Sequence, residues 1–286
     1  MLHHLLTLAR VSNLPTVWSN CLAAWLISGA VPSWNMLPLL LGASLLYAGG
    51  CTLNDACDAE WDAQHRPERL IPSGVLSRRT VALIGLTEMA AGLGAIFAGG
   101  VKYAWAPAGL ASCVLIYDAW HKQSPASVST MGLCRCFLYF TAAAAAGAVN
   151  LLPPALSGWV MALYIVVLSL VARGEAKRGA RMPRSRYLLL LVACALAFLT
   201  VRERCEPMAA LSVFCAAAGG FTLLLPAGGA GVGVWVNRLL AGIPVIDLCL
   251  VLIFFRGHVI AAPAWAIAFP AAVLLSLLFQ RWFKAT

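Results

Sequence analysis

Apolar stretches of 15 to 21 residues recur along the whole of this chain. A helix crosses the roughly 30 Å hydrocarbon core of a bilayer with about 20 residues, so the sequence predicts an all-α, polytopic transmembrane helical bundle. The predicted spans are residues 14–31, 37–57, 80–99, 103–118, 131–150, 157–173, 187–201, 207–225, 239–256 and 262–281. The last two are the weakest, because Asp247 interrupts one of them and a re-entrant hairpin would place the flanking charges nearly as well.

The composition excludes several other classes of protein. Hydrophobic residues make up 62% of the chain and charged residues 11%, whereas soluble domains have about 45–50% and about 25%. The formal net charge of +9 therefore indicates membrane orientation and lipid headgroup contact. No nucleic-acid partner is expected, because no basic stripe with interleaved aromatic residues occurs. Most of the ten cysteines lie inside apolar segments, which favours reduced core thiols over disulfides or zinc ligands.

The distribution of basic residues predicts how the bundle is oriented. If the N-terminus is cytoplasmic, the segments on that side of the spans carry fifteen Lys and Arg residues, against four on the other side. Cytoplasmic loops of membrane proteins carry such an excess. We therefore expect a multi-pass integral membrane protein of a bacterial inner membrane, with residues 1–286 forming a single domain in contact with the lipid bilayer.

One stretch at the inner end of the second span is unusually acidic. It runs from Asn54 to Asp62 and reads NDACDAEWD. At about 100° per residue in a helix, four of its oxygen-bearing side chains fall within an arc of about 100°, and Glu60 faces the opposite side. The four are Asn54, Asp55, Asp58 and Asp62. Like charges one turn apart repel each other, and Mg²⁺ prefers oxygen ligands and commonly shares its shell with substrate phosphates, so the cluster predicts recognition of a diphosphate through Mg²⁺.

Basic residues on the same predicted side of the membrane suit that ligand. Arginine and lysine side chains bind phosphate oxygens directly. The candidates for diphosphate binding are Arg66, Arg69, Lys122, Arg135, Arg173 and Lys177. Contact with anionic lipid headgroups is the competing interpretation for each of them. Arg135 lies inside the fifth predicted span and is either a phosphate ligand or the partner of a buried acid such as Asp118.

These motifs resemble those of a known family. The NDACDAEWD stretch resembles the Asn-Asp-x-x-Asp-x-x-x-Asp signature of the UbiA superfamily, membrane prenyltransferases that use Mg²⁺ to bind an isoprenyl diphosphate. Arg66 to Gly74 (RPERLIPSG) resembles the family's loop that begins with Arg-Pro and ends with Pro-Ser-Gly, and Asn13 to Asn20 (NLPTVWSN) is similar to its first-helix signature. Met131 to Arg135 (MGLCR) is similar to the UbiA-like subgroup called EboC. The resemblance implies nine spans, so we expect a UbiA-like bundle of nine or ten.

One departure from the family bears on the metal site. The family usually carries a second acidic motif, Asp-x-x-x-Asp or Asp-x-x-Asp-x-x-x-Asp, at the inner end of its sixth span. The corresponding stretch here, Ser169 to Arg178, reads SLVARGEAKR and has Glu175 as its single acid. Either Glu175 supplies the remaining metal ligand while Arg173 and Lys177 neutralise phosphate charge, or efficient ionisation of the substrate has been lost.

The resemblance implies a Mg²⁺-dependent intramembrane prenyltransferase that moves an isoprenyl group from its diphosphate to an aromatic or other small acceptor. The expected metal ligands are Asn54, Asp55, Asp58, Asp62 and Glu175, with Asp58 and Asp62 as the catalytic residues. The alternative is a non-catalytic isoprenoid-diphosphate binder or transporter with the same fold, suggested by the eroded second motif. CDP-alcohol phosphotransferases also place spaced aspartates on a membrane helix, but their motif requires Asp-Gly and Ala-Arg, which this stretch lacks.

Overall fold

The computed structural model describes residues 2–121, 124, 126–173, 231–254 and 263–283. All the regular elements in these ranges are helical, as the apolar stretches predict. The α-helices, numbered in chain order, are α1 (Leu2–Leu8), α2 (Leu14–Ile27), α3 (Leu37–Cys57), α4 (Ala59–His65), α5 (Arg78–Ala98), α6 (Trp105–Trp120), α7 (Ser127–Ala145), α8 (Leu152–Ala172), α9 (Val232–Ala241), α10 (Ile243–Phe254) and α11 (Pro263–Trp282).

Five segments of the described chain are long and apolar enough to cross a membrane. They are Trp34–Cys57, Arg78–Ala98, Ser127–Ala145, Leu152–Leu170 and Val232–Phe254. The prediction of an all-helical membrane protein is therefore confirmed. The predicted spans at 187–201 and 207–225 lie outside the described residues, so the expected count of nine or ten stays a prediction.

The boundaries of three predicted spans were wrong. α7 begins at Ser127 and α8 at Leu152, four and five residues before the predicted starts. In α7 the early polar residues belong to the first turn, where Ser127 Oγ donates a hydrogen bond to the Ser124 carbonyl oxygen at 2.8 Å. The predicted span 239–256 is two helices that meet at Gly242. Asp247 does not interrupt α10 but lies fully buried within it.

The antiparallel pair α3 and α5 is held together by close backbone contact at glycines. A Cβ atom added at Gly49 would lie 2.8 Å from the Gly85 carbonyl oxygen, and one added at Gly92 would lie 2.8 Å from the Gly42 carbonyl oxygen. Small residues allow helix backbones to approach this closely in membranes, where van der Waals contact replaces hydrophobic association between helices. The seven-residue spacing of the two glycines on each helix therefore determines how α3 and α5 pack.

The centre of the bundle is formed by α2. It packs against α3, α7, α8, α10 and α11, and its Cys21, Ala23 and Ala24 are fully buried. Because α2 touches helices from both halves of the described chain, polar side chains on it meet partners that are far away in sequence.

The glycine contact predicts a clear difference between two alanine substitutions on α5. Gly92→Ala should lower the free energy of unfolding of the detergent-purified protein by about 1 to 3 kcal/mol, because the added methyl group forces α3 and α5 apart. Gly94→Ala is the matched control: no atom of a neighbouring residue lies within 4 Å of the position that its methyl group would take, and alanine has the higher helix propensity. Thermal unfolding curves of the two variants check this, and equal stability would contradict the packing argument.

Candidate functional site

The acidic stretch lies where α3 ends and α4 begins. Asp58 is the junction residue, with φ −82° and ψ −1°. Its amide still bonds the Asn54 carbonyl oxygen at 2.9 Å, and the Asp62 amide bonds the Asp58 carbonyl oxygen at 2.8 Å, so the helical phase continues across the junction. Asn54, Asp58 and Asp62 are 8%, 7% and 2% exposed, whereas the Glu60 side chain is 85% exposed. The structure thus places these residues on the sides of the helix that their spacing predicts.

We call the side chains of Asn54, Asp55, Asp58 and Asp62 the acidic face. Two arginines bind one edge of it. Asp55 Oδ1 accepts from Arg69 Nη1 at 2.9 Å and from Arg10 Nη2 at 3.2 Å. Arg69 Nη1 also reaches Asp62 Oδ2 at 3.2 Å, and Arg10 Nη2 reaches Asn54 Oδ1 at 3.3 Å. Asp55 is therefore a salt-bridge residue that ties the segment before α2 and the loop after α4 to the end of α3.

The other edge of the face meets the end of α6. Asn54 Nδ2 donates to Asp118 Oδ1 at 3.2 Å, and His121 Nε2 lies 3.1 Å from Asp58 Oδ1. Asp118 is 6% exposed, and its Oδ2 is a buried atom with no hydrogen-bond partner in the described part of the chain. Among the described residues, four carboxyl groups are thus gathered near two guanidinium groups and His121, so this part of the site has more acidic than basic groups.

Among the described residues, no group of three or more His, Cys, Asp or Glu side chains is arranged to hold a metal ion. Arg10, Arg69 and His121 each contact one or two of the carboxylates. The joint binding of one metal ion by Asn54, Asp55, Asp58, Asp62 and Glu175 stays a prediction.

The site nonetheless fits a divalent cation in its chemistry. Asp118 Oδ2 is a buried oxygen atom without a hydrogen-bond partner among the described residues, so it is available as a metal ligand. Mg²⁺ prefers oxygen ligands from negatively charged groups. Asn54, Asp58, Asp62 and Asp118 are the residues that would hold it.

The predicted phosphate-binding residues lie in several different places. Arg69 binds the acids, whereas the Arg66 guanidinium lies over the Trp61 ring, 5.9 Å from its centroid. Arg173 is exposed at the end of α8 and donates to the Ser124 carbonyl oxygen at 3.1 Å and to Ser127 Oγ at 2.9 Å. Lys122, Glu175 and Lys177 lie outside the described residues.

Arg135 contacts α2, and its role as a phosphate ligand stays a prediction. Arg135 Nη1 donates to Asn20 Oδ1 at 2.7 Å and Nη2 donates to Thr16 Oγ1 at 3.1 Å, and no bond joins it to Asp118 among the described residues. Because α7 begins at Ser127, Arg135 lies about 12 Å along the helix from its start. It therefore meets α2 inside the bundle and not the acidic face at its end.

Three residues of the site were missed as ligands or partners of the acidic stretch by the sequence analysis: Arg10, Asp118 and His121. Arg10 has φ 44° and ψ 51°, and it is the one non-glycine residue with positive φ in the described ranges. This left-handed conformation is sterically costly for a residue with a Cβ atom, so the ion pair with Asp55 holds the backbone there. The signal for Arg10 in the sequence is its position just before the NLPTVWSN stretch. A positive charge near a span is equally explained by membrane orientation.

Comparison with known proteins identifies related sequences. Residues 13–252 match the profile of the UbiA prenyltransferase family. A 4-hydroxybenzoate octaprenyltransferase of Acidovorax ebreus is 34% identical over 73 residues, 24% of this chain and 25% of that protein. A protoheme IX farnesyltransferase of Alkalihalophilus pseudofirmus is 35% identical over 121 residues, 40% of this chain and 38% of that protein. The chain thus matches between a quarter and two-fifths of the length of these curated relatives.

Solved structures show the same fold over nearly the whole chain. A digeranylgeranylglyceryl phosphate synthase superposes with a TM-score of 0.63 at 16% identity, covering 90% of this chain and 99% of that one. A UbiA homologue from Archaeoglobus fulgidus, bound to DMAPP and Mg²⁺, superposes with a TM-score of 0.54 at 15% identity, covering 96% and 98%. The UbiA-like fold expected from the motifs is confirmed.

The excess of acid predicts how Mg²⁺ should act on an arginine variant. Arg69→Ala leaves Asp62 without its guanidinium partner, which should cost about 3 kcal/mol of stability. Millimolar Mg²⁺ should then raise the melting temperature of Arg69→Ala more than that of the wild type. Arg79→Ala is the control, because Arg79 is exposed on the adjacent α5 and its loss changes the net charge equally. An equal effect of Mg²⁺ on both variants would show a general charge effect only.

Proposed function

Since the chain belongs to the UbiA prenyltransferase family, we propose that it is a Mg²⁺-dependent intramembrane prenyltransferase of the EboC-like subgroup. It transfers an isoprenyl group from its diphosphate to an aromatic or other small acceptor. The proposal extends over residues 1–286 as a single domain. It also places the protein in a bacterial inner membrane, with the acidic face toward the cytoplasm, where the Lys and Arg excess lies.

The observation that carries the proposal is the buried excess of carboxylate at the inner end of the bundle. Asp58, Asp62 and Asp118 are each less than 9% exposed. Among the described residues, Arg10 and Arg69 form ion pairs with Asp55 and Asp62, and His121 contacts Asp58. A structural helix end would be solvated or fully paired. A site that keeps more negative charge than its own residues balance is suited to a cation, and through it to an anionic substrate.

The proposal gives each of these residues a role. Asn54, Asp58 and Asp62 hold Mg²⁺, with Asp118 from α6 and Glu175 completing the oxygen donors, and Asp58 and Asp62 are the catalytic pair. The ion supplies positive charge that stabilises the departing diphosphate. Arg69 already lies within the cluster, and Arg66, Lys122, Arg173 and Lys177 bind the remaining phosphate oxygens. Cleavage of the carbon–oxygen bond places negative charge on the leaving group, so these fixed cations lower the barrier electrostatically.

A binder or transporter that keeps this fold without the chemistry is the second candidate. The residue that favours it is Arg173, since a cation fixed to Ser124 and Ser127 lies in the stretch where the family usually carries acids. Such a protein would bind the diphosphate without cleaving it.

Charge-removing variants of the acidic face test the proposed function. Asp58→Asn and Asp62→Asn should each abolish Mg²⁺-dependent binding of geranyl diphosphate and release of inorganic diphosphate, because they preserve shape but remove negative charge. Glu60→Gln should retain both, since Glu60 faces away and pairs with Arg78 at 2.8 Å. Binding is measured by calorimetry on protein in lipid nanodiscs, and release with cell extract as the source of acceptor. Equal loss in all three variants contradicts the site, and binding without release supports the second candidate.

A further inference from the structure

A second polar cluster lies inside the bundle, where α2, α7 and α10 meet. Its centre is Asp247, which is 0% exposed. The carboxylate accepts from Ser19 Oγ at 2.5 Å and from Asn20 Nδ2, which lies 2.8 Å from Oδ1 and 2.9 Å from Oδ2. The Tyr139 hydroxyl donates to Oδ1 as well. Three different side chains therefore donate to one fully buried carboxylate.

The side chain of Asn20 connects this carboxylate to a cation. Its Oδ1 accepts from Arg135 Nη1 at 2.7 Å, while its Nδ2 donates to Asp247. A guanidinium group can only donate, so the orientation of the amide is determined by its neighbours. We call Arg135, Asn20 and Asp247 the interior relay. Within it the amide dipole points its negative end at the arginine and its positive end at the aspartate, so each bond strengthens the other.

The interior relay is electrically neutral, but packing alone does not explain it. Each charged side chain at the centre of a membrane costs about 2.5–3.5 kcal/mol on insertion scales. Apolar residues of similar volume are often at least as stabilising as a buried ion pair. Because these two charges add little stability, their role lies in what Arg135, the least buried member of the relay, can bind.

The relay member that is not fully buried is Arg135. Its guanidinium has five N–H groups, and the described residues accept from it at Asn20 Oδ1, Thr16 Oγ1 and the Thr16 carbonyl oxygen. Asn20, Tyr139 and Asp247 are fully buried, whereas Arg135 is only partly buried. Arg135 is thus the least buried member of the relay, and its guanidinium has more N–H groups than the acceptors that the described residues supply.

Tyr47 lies in the vicinity of both Arg135 and Arg10. The Tyr47 hydroxyl accepts from Asn13 Nδ2 at 3.1 Å and lies near enough to Arg10 and Arg135 to interact electrostatically with both. Arg10 in turn bonds Asp55 and Asn54. A molecule bound at Arg135 would therefore lie deeper in the bundle than a diphosphate at the acidic face, on the same interior side.

From this geometry we infer that Arg135 binds a neutral oxygen group, a hydroxyl or carbonyl, of the prenyl acceptor, and that Asp247 sets this preference through Asn20. The inference rests on the proposed function. Among the described residues, Asp247 supplies the negative charge that balances Arg135 through Asn20. An anionic ligand would leave two negative charges against one positive charge in a region of low dielectric constant, which is costly. A neutral hydrogen-bond acceptor leaves the balance unchanged. Asp247 is a positioning residue, since it acts on the ligand through Arg135.

A pair of matched probes tests the charge preference. Methyl 4-hydroxybenzoate and 4-hydroxybenzoate differ at pH 7 by a single negative charge. The full chain in lipid nanodiscs should bind the ester at least about tenfold more tightly than the anion, a difference of about 1.4 kcal/mol, with empty nanodiscs correcting for partition into lipid. Asp247→Asn should shift the ratio of affinities at least about tenfold toward the anion, because Arg135 then lacks its counter-charge. Arg135→Gln should weaken the binding of both probes.

Glu88→Gln is the matched control. Glu88 is another carboxyl group within a span, and it accepts from Thr52 Oγ1 at 3.0 Å, away from the interior relay. The ratio of affinities should not change in this variant. If Asp247→Asn does not fold, the double variant Asp247→Asn/Arg135→Gln keeps the region neutral and should lose both probes while it still binds geranyl diphosphate.

Two results would overturn the inference: an unchanged ratio in folded Asp247→Asn, or no binding of either probe by the wild type. Mg²⁺-dependent binding of geranyl diphosphate, measured on the same samples, separates this outcome from failure of the proposed function. If geranyl diphosphate binds and the probe ratio does not move, only the inference fails. If the ratio moves as expected and geranyl diphosphate does not bind, the proposed function fails and the neutral-ligand site remains.

Discussion

Compensation of charge where water is scarce is the constraint on which this structure depends. A buried acid left without a partner costs several kcal/mol, so the described helices can pack only in ways that bring a donor to each carboxylate. Asp55 receives two arginines, and Asp247 receives Ser19, Asn20 and Tyr139. These contacts join segments far apart in sequence. They thereby fix the relative positions of helices whose apolar surfaces alone would permit many arrangements.

The close contact of α3 and α5 makes the compensation at the acidic face possible. Because Gly49 and Gly85 allow the two backbones to touch, the first turn of α5 lies beside the last turn of α3. Arg78 Nε then reaches the Ala56 carbonyl oxygen at 2.9 Å, and the short loop before it returns Arg69 to Asp55 and Asp62. A wider separation of the helices would draw this loop away and leave the acids without their guanidinium partner.

Sequence reasoning succeeded where the determining interaction is local and failed where it is not. Apolar length predicts helices, and helical phase predicts that Asp58 and Asp62 are buried while Glu60 is exposed, since each depends on neighbouring residues. The partners of those acids were out of reach, because Arg10 and His121 are 45 and 63 residues away from the acids they bind. The contacts of Arg135 with Thr16 and Asn20 were out of reach for the same reason: they depend on the packing of α7 against α2, which periodicity does not encode.

The acidic face and the interior relay differ in net charge, as their different surroundings require. At the junction of α3 and α4, the described residues of the acidic face include more carboxylates than Arg10 and Arg69 balance. Deeper inside, Arg135 and Asp247 are matched one to one through Asn20. An excess of charge is tolerable only where a mobile cation can supply the remainder, because the cost of an unbalanced ion rises as the dielectric constant falls. This difference in charge balance is the basis on which we propose ligands of different chemistry for the two regions: an anion carried by a metal ion for the acidic face and a neutral molecule for the interior relay.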